Sequence, residues 1–225
     1  MLLDIEGTTT PIEFVHNVLF AYARAHIQEF LDRHGSDPAV AADIALLRAE
    51  HAAETSPPPM ASVTAYVRWL MDRDSKATSL KSLQGRIWEQ GYRAGELRGE
   101  VYPDVPAALQ RWRRQGIEIA IFSSGSVQAQ RNLFAHTTAG DLTGFIRAYF
   151  DTTTGPKSAP QSYAGIAGAL ERDPSAVLFL SDVGAELDAA RAAGMQTALC
   201  VRARAPDTAV PSSAHPVIRT FDDVP

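Results

Sequence analysis

The chain reads as an α/β protein: a parallel sheet with helices on both faces, carrying a small all-helical module inserted after the first strand. Two observations predict this. From Gly99 onward, short apolar runs alternate with segments of helical period, the pattern of right-handed strand–helix–strand crossovers that build a parallel sheet. From about Phe14 to Leu97, apolar residues recur only at helical spacing and no stretch reads as a strand.

Taken in order, Met1-Leu-Leu-Asp4 is an apolar stub that breaks into the polar run Asp4-Ile-Glu-Gly-Thr-Thr-Thr-Pro11, as the end of a buried strand does. Such a stub is shorter than the roughly five to six residues usual for a strand. Either the strand is clipped or the natural start lies upstream of Met1. Phe14, Val15, Val18, Leu19 and Tyr22, then Ile27, Phe30 and Leu31, set a helical period. Asp37-Pro38 opens a second helical stretch through Ile44, Leu46 and Leu47, and Pro57-Pro58-Pro59 breaks it. Val63, Val67, Trp69 and Leu70, followed by Leu80, Leu83, Ile87, Trp88 and Tyr92, continue the pattern, with both tryptophans expected in the module's core. Arg111-Trp-Arg-Arg114 reads as the outer face of a helix. Residues 117–122 read as a strand ending in Ser123-Ser-Gly-Ser126, 127–134 as a helix and 148–151 as a short strand. Residues 162–170 follow as a helix, 176–181 as the clearest buried strand, and 186–193 as a helix closed by Gly194. Residues 196–201 and 217–218 complete the strands.

Composition narrows the function classes. The 225 residues are 45% hydrophobic and 21% charged, ordinary for a globular protein with a sizeable core. A net charge of −5 offers no basic field for nucleic acid or an anionic membrane surface. Cys200 is the single cysteine, which excludes a disulfide framework and a thiolate metal cluster within one chain. It sits in an apolar run and reads as a small buried strand residue. No run of about 18 apolar residues and no secretory pattern occur; the expectation is a cytoplasmic monomer. His16, His26, His34, His51, His136 and His215 form no His-x-x-x-His pair and do not point to zinc.

In open parallel sheets, ligands bind beyond the carboxyl ends of the strands. There the sequence places Asp4 with Glu6 two residues on, Ser123-Ser124-Gly125, and Asp182 with Glu186 one helical turn further; Lys157 lies in the Gly155-Pro-Lys-Ser loop. These types suit phosphoryl transfer. A carboxylate can attack phosphorus and split hydrolysis into two steps. A second acid can protonate the leaving oxygen and then deprotonate water. Carboxylates from different strand ends suit Mg²⁺, hydroxyl and N–H groups at a helix start suit phosphate oxygens, and a lysine offsets the accumulated charge. Glu186 reads either as a group steadying Lys157 or the metal site, or as an acid in a helix's first turn.

Asp4-Ile-Glu-Gly-Thr-Thr resembles the first motif, Asp-x-Asp-Gly-Thr, of the haloacid dehalogenase-like phosphatases, and Ser123, Lys157 and Asp182 fall where their later motifs lie. Glu6 departs from that motif. The longer run Asp-Ile-Glu-Gly-Thr-Thr-Thr-Pro-Ile is similar to the enolase-phosphatase family of methionine salvage. So are Asp74-Ser-Lys-Ala-Thr-Ser-Leu-Lys-Ser-Leu-Gln-Gly-Arg-Ile-Trp88 and Ile121-Phe-Ser-Ser-Gly-Ser-Val-Gln-Ala-Gln130. The resemblance implies a Rossmann-like haloacid dehalogenase-like core over 1–13 and 98–225, with a helical cap over 14–97. It further implies one Mg²⁺ per monomer and a phosphorylated diketone substrate, 2,3-diketo-5-methylthiopentyl-1-phosphate, converted to acireductone and phosphate. In that scheme Asp4 is nucleophile and metal ligand, and Glu6 is general acid/base, reaching the metal through its backbone carbonyl. Asp182 completes the protein ligands; Ser123, Ser124 and Lys157 hold phosphate or substrate. Lys81 and Gln84 share a helix face in the cap and read either as a solvated face or as groups reaching substrate. The rival reading is a related phosphatase acting on another small phosphate ester.

Overall fold

The computed structural model describes residues 1–54, 56, 58–73, 75–202 and 214–224; Pro57 and Asp74, named above, lie outside them. The chain divides into two compact units, Met1–Ile12 with Arg98–Pro225, and Glu13–Leu97.

In the first unit the described strands form one parallel sheet in the order β3-β2-β1-β4-β5-β6. They are β1 (Leu2–Leu3), β2 (Ala120–Phe122), β3 (Ala148–Phe150), β4 (Leu178–Ser181), β5 (Gln196–Cys200) and β6 (Val217–Ile218). β1 has only two residues but is paired on both sides, Leu2 and Leu3 lying opposite Ala120 and Ile121 on one neighbour and Phe179 and Leu180 on the other. The ladder runs past both its ends, through Ala120 N to Met1 O at 2.9 Å and Asp4 N to Leu180 O at 3.0 Å. The chain winds outward from β1 through β2 to β3, then returns to the other side of β1 as β4. Asp4 therefore sits at the point where strand order reverses, where a crevice opens above a parallel sheet.

Two strands begin later than the apolar runs suggest, for a local reason. Ile117 N–H bonds back to Trp112 O at 2.9 Å, closing the helix Val105–Arg114, so β2 starts at Ala120. Pro174–Ala176 forms a 3₁₀ turn that uses Val177 N–H on Pro174 O at 3.0 Å, so β4 starts at Leu178.

Side chains alternate across the sheet. Leu2, Phe122 and Phe179 pack with Tyr163, Ile166 and Leu187 of the helices Pro160–Ala169 and Gly184–Ala192. Tyr163 meets Phe122 edge-on with ring centroids 5.5 Å apart and Phe179 at 5.2 Å. Leu3, Ile121 and Leu180 point to the opposite face and are also fully buried, as a doubly covered parallel sheet requires. The Arg111–Arg114 run corrects the outer-face expectation. Trp112 is fully buried, 5.3 Å from the Phe221 ring, and Arg111 Nη2 donates to Phe221 O at 2.7 Å and Val224 O at 3.0 Å. Of the four, Arg113 and Arg114 are exposed.

The second unit packs the helices Ala21–His34, Pro38–Ala53, Val63–Asp72 and Thr78–Ala94 around one apolar cluster. Ala23, Ile27 and Phe30 supply one stripe, and Leu80, Leu83 and Ile87 another, at the 3–4-residue spacing that keeps side chains on one helix face. Ser62 starts the third helix by accepting Ala65 N–H on its Oγ at 3.0 Å. Trp69 and Trp88 pack partly buried against the cluster. A six-residue π-helix, Val15–Phe20, precedes these helices, and Trp88 Nε1 donates to Leu19 O within it at 2.7 Å. That insertion is invisible in a 3.6-residue apolar pattern. Among the described residues no helix is long and apolar enough to cross a membrane.

Candidate active site

Strand register places the polar residues. Continuing β1 by one residue sets Asp4 level with Phe122 of β2 and Ser181 of β4, so Ser123 and Asp182 are the next residues out on either side. The chain after Asp4 turns back tightly. Thr8, Thr9 and Thr10 N–H all point at Ile5 O (3.2, 3.0 and 2.9 Å), and Gly7 N–H donates to Thr10 O at 2.9 Å. Glu6 rides on this turn, half-buried.

The centre of the site is an ion-paired chain. Asp4 is 3% exposed. Lys157 Nζ donates to Asp4 Oδ1 at 2.6 Å and lies 2.7 Å from Glu186 Oε2. Ser181 Oγ lies 3.0 Å from Glu186 Oε2 and 3.4 Å from Asp4 Oδ2, the second a long contact for an O–H donor. Oδ2 is thus the less committed oxygen of Asp4. Tyr163 fixes the lysine's backbone by donating to Lys157 O at 2.7 Å, and the ammonium lies 5.8 Å from the Phe122 ring centroid. Glu186 thereby steadies Lys157, and it also lies in the first turn of the helix Gly184–Ala192, so both of its expected readings hold.

Gly7 is needed at its position. Its φ is +68°, and a Cβ there would lie 2.1 Å from Asp182 Oδ2. The bare α-carbon lets the Asp182 carboxyl close on the nucleophile turn.

The electrostatics are lopsided. Asp4, Asp182 and Glu186 face a single lysine. Burial and then the charge of Asp4 push Asp182 up to about 7, and the same two causes, in the same order, raise Glu186 against the opposing pull of Lys157. Burial works to lower Lys157, but Asp4 and Glu186 overcome it and hold the lysine above its usual range. The lysine is a fixed cation, and the carboxylates still exceed it.

Mg²⁺ fits this surplus. The donors are hard oxygens from separate strand ends, and Gly7 leaves a space that a single Cβ would fill. Among the described residues no three His, Cys, Asp or Glu side chains converge as a metal cage. An ion here would rest on two carboxylates, a backbone carbonyl and water, the sparse protein coordination that Mg²⁺ accepts.

Ser123 is buried and Ser124 exposed. Ser123 Oγ accepts Gly125 N–H at 3.2 Å, and Gln130 Nε2 donates to Gly125 O and Phe150 O at 2.8 Å each. This turn leads into the helix Val127–Ala135, whose first N–H, on Val127, is taken by Asp151 Oδ2 at 3.1 Å. Asp4, Lys157, Ser181 and Glu186 are joined by direct contacts. Asp182 meets the turn at Gly7, and Ser123 joins through strand register. Lys81 and Gln84 both lie on Thr78–Ala94 in the other unit, Gln84 buried.

Sequence reasoning missed Ser181, Gly7, Tyr163 and Gln130. Ser181 had a legible signal, a hydroxyl ending an otherwise apolar buried run. Tyr163 acts through one hydrogen bond and Gln130 through two, all set by tertiary placement, which no local pattern reports.

Comparisons with known proteins agree on one lineage. A family model described as haloacid dehalogenase-like hydrolase matches residues 1–194. The Enolase-phosphatase E1 of Synechococcus elongatus is 54% identical over 209 residues, covering 90% of this chain and 88% of the relative. That of Sorangium cellulosum is 49% identical over 226 residues, covering 100% and 96%. Among solved structures, the Unknown transcript 4 protein of Saccharomyces cerevisiae superposes with a TM-score of 0.81 at 34% identity, covering 99% of this chain and 98% of the other. Rhodobacter sphaeroides CbbY, solved with xylulose-(1,5)bisphosphate, superposes at 0.60 with 16% identity over 99% and 94%, a likeness of fold alone.

Proposed function

The chain belongs to the enolase-phosphatase family of the haloacid dehalogenase-like hydrolases, and from that premise we propose that it converts 2,3-diketo-5-methylthiopentyl-1-phosphate to acireductone and phosphate through a phosphorylated Asp4. The observation that carries this reading is the buried Asp4–Lys157–Glu186 chain at the switch point of the sheet.

In the proposed reaction Asp4 attacks phosphorus in line, and the enol oxygen leaves as Glu6 gives it a proton. Glu6, now a carboxylate, takes a proton from water that attacks the aspartyl phosphate and restores Asp4. Lys157, held by two carboxylates, supplies a fixed positive charge to the transferring phosphoryl oxygens. The Ser123 and Ser124 hydroxyls and the Ser124 N–H are the proposed donors to the same oxygens, since the Ser123 N–H is given to Phe150 O at 3.2 Å. Asp4, Asp182 and the backbone carbonyl of Glu6 would hold one Mg²⁺, which when bound neutralises charge on the phosphoryl group. The enolisation that precedes transfer needs a base. Glu6, Lys157 and a residue of the helical unit are the candidates, and a lysine kept protonated by two partners is poorly suited to that task, which favours Glu6 in the core. The helical unit Glu13–Leu97 is proposed as the cap domain that selects substrate.

Phosphate release from the diketone, with enol absorbance followed in parallel and with and without Mg²⁺, tests this directly. Magnesium-dependent release with an enol appearing is expected. Release only from simple phosphate esters would keep a phosphatase and discard this substrate. Appreciable turnover by Asp4→Asn would remove the nucleophile assignment.

A further inference from the structure

Away from the ion-paired centre, Arg202 closes a second buried knot. It follows β5 by two residues, and its side chain is 8% exposed. Nε and Nη2 both donate to Thr8 O, at 2.8 and 2.6 Å, while Nη1 reaches Asp104 Oδ2 at 2.5 Å. The guanidinium lies 4.4 Å from the ring centroids of both Tyr102 and Phe221. Asp104 Oδ2 also accepts Phe221 N–H at 2.6 Å, and Tyr102 N–H donates to Thr9 O at 2.9 Å. Three separated segments, at 102–104, 202 and 221, thus join, and two of them bond directly to the carbonyls of Thr8 and Thr9.

Those carbonyls belong to the turn that carries Glu6. The Thr8 and Thr10 hydroxyls are buried without a hydrogen-bond partner among the described residues. The turn is held from within by its own N–H bonds and by the Thr9 hydroxyl on Asp4 O at 3.1 Å, and from outside by the bonds to the Thr8 and Thr9 carbonyls. Only a planar, multi-donor cation can chelate one carbonyl, pair with a carboxylate and stack between two rings at once.

We propose that Arg202, oriented by Asp104, is a positioning residue that sets where Glu6 stands relative to the leaving oxygen. This rests on the acid/base role proposed for Glu6. Its consequence is selective. A displaced general acid harms substrates whose leaving group needs a proton and spares those whose leaving group departs as a stable anion. A merely structural role would lower all substrates together.

The test uses the full chain with Mg²⁺ on phenyl phosphates, from nitro-substituted (good leaving groups) to unsubstituted, comparing wild type, Arg202→Lys and Glu6→Gln in single-turnover mode. Arg202→Lys is expected to lose on the order of 100-fold on phenyl phosphate, the cost of misplacing an acid by about 1 Å. It should lose little on the nitro-substituted ester, with KM little changed. Glu6→Gln should show the same tilt, more steeply. An even loss across the series, or none, for Arg202→Lys beside a tilted Glu6→Gln overturns the positioning role alone. No tilt in Glu6→Gln overturns the acid role and this proposal with it. If Arg202→Lys fails to melt cooperatively, Asp104→Asn takes its place: a smaller tilt of the same sign supports the proposal, and an even response refutes it.

Discussion

Replacing Gly7 by alanine isolates how the nucleophile turn and Asp182 depend on each other. Two costs are predicted, and they separate. The first is conformational, because φ at +68° is a left-handed region that disfavours a Cβ by about 1–2 kcal/mol. The second is contact. The added carbon would lie 2.1 Å from Asp182 Oδ2 and 2.5 Å from its Cγ, where ordinary contact begins near 3.4 Å. The carboxyl must retreat by about 1 Å; it is desolvated where it packs on the Gly7 turn, but the residue as a whole is exposed, so it can move outward without breaking the core. Displacement on that scale costs about 100-fold in turnover, with a matching loss of Mg²⁺ affinity. Gly116 is the control, since its φ is +74° with nothing within 4 Å of an added Cβ. Gly116→Ala pays the conformational cost alone. Calorimetric titration with Mg²⁺ and thermal melts of both variants would decide. Similar drops in Tm of about 2–4 °C per kcal/mol, with metal affinity and turnover lost only in Gly7→Ala, are expected. A Gly7→Ala protein with wild-type Mg²⁺ affinity would refute the argument.

Other perturbations test the charge balance. Lys157→Met leaves Asp4 and Glu186 facing each other with no counter-charge, so a stability loss of about 3–5 kcal/mol is expected in denaturant titration. A fall in kcat/KM of roughly 1,000-fold should accompany it; an unchanged value would take Lys157 out of the site. Asp182 carries a pH signature. Its folded value near 7 lies above the unfolded value near 4, so as pH rises from 4 to 7 the unfolded chain loses this proton first and stability falls; the penalty stays in full above pH 7. Asp182→Asn is therefore expected to melt higher than wild type at pH 8 without Mg²⁺, by a margin that shrinks toward pH 4, and a lower melt at pH 8 would contradict this. Tyr163→Phe removes the donor to Lys157 O and should cost about 1–3 kcal/mol by leaving a buried acceptor unpaired, measured by equilibrium unfolding.

How much of this was legible in the sequence depends on the range of the interaction. β4 and the helix after it were readable because burial on both faces of a parallel sheet writes a continuous apolar run. Asp4 and Asp182 were readable because each ends such a run. Strand starts were not, since the N–H groups of Ile117 and Val177 are taken by turns that the apolar pattern does not register. Trp112 was misplaced because three flanking arginines read as a solvated face, while the helix turns the indole inward and lets Arg111 bind the carboxyl-terminal turn. The Arg202 knot was illegible, its members at 8, 102, 104, 202 and 221 being joined only by the fold.

The arrangement at the strand ends makes little sense as stabilisation. Three carboxylates meet one ammonium, and two of them, Asp182 and Glu186, are forced upward by burial and by Asp4. Replacing such a cluster with apolar residues of similar volume is commonly neutral or stabilising. A fold that keeps it, and that keeps Gly7 beside Asp182 despite the freedom a glycine gives the unfolded chain, holds a standing demand for positive charge. The proposed Mg²⁺ would answer that demand, and an incoming phosphoryl group would increase it. Lys157, with a cation held by Asp4 and Asp182, would offset the charge that otherwise keeps a phosphate dianion from approaching Asp4.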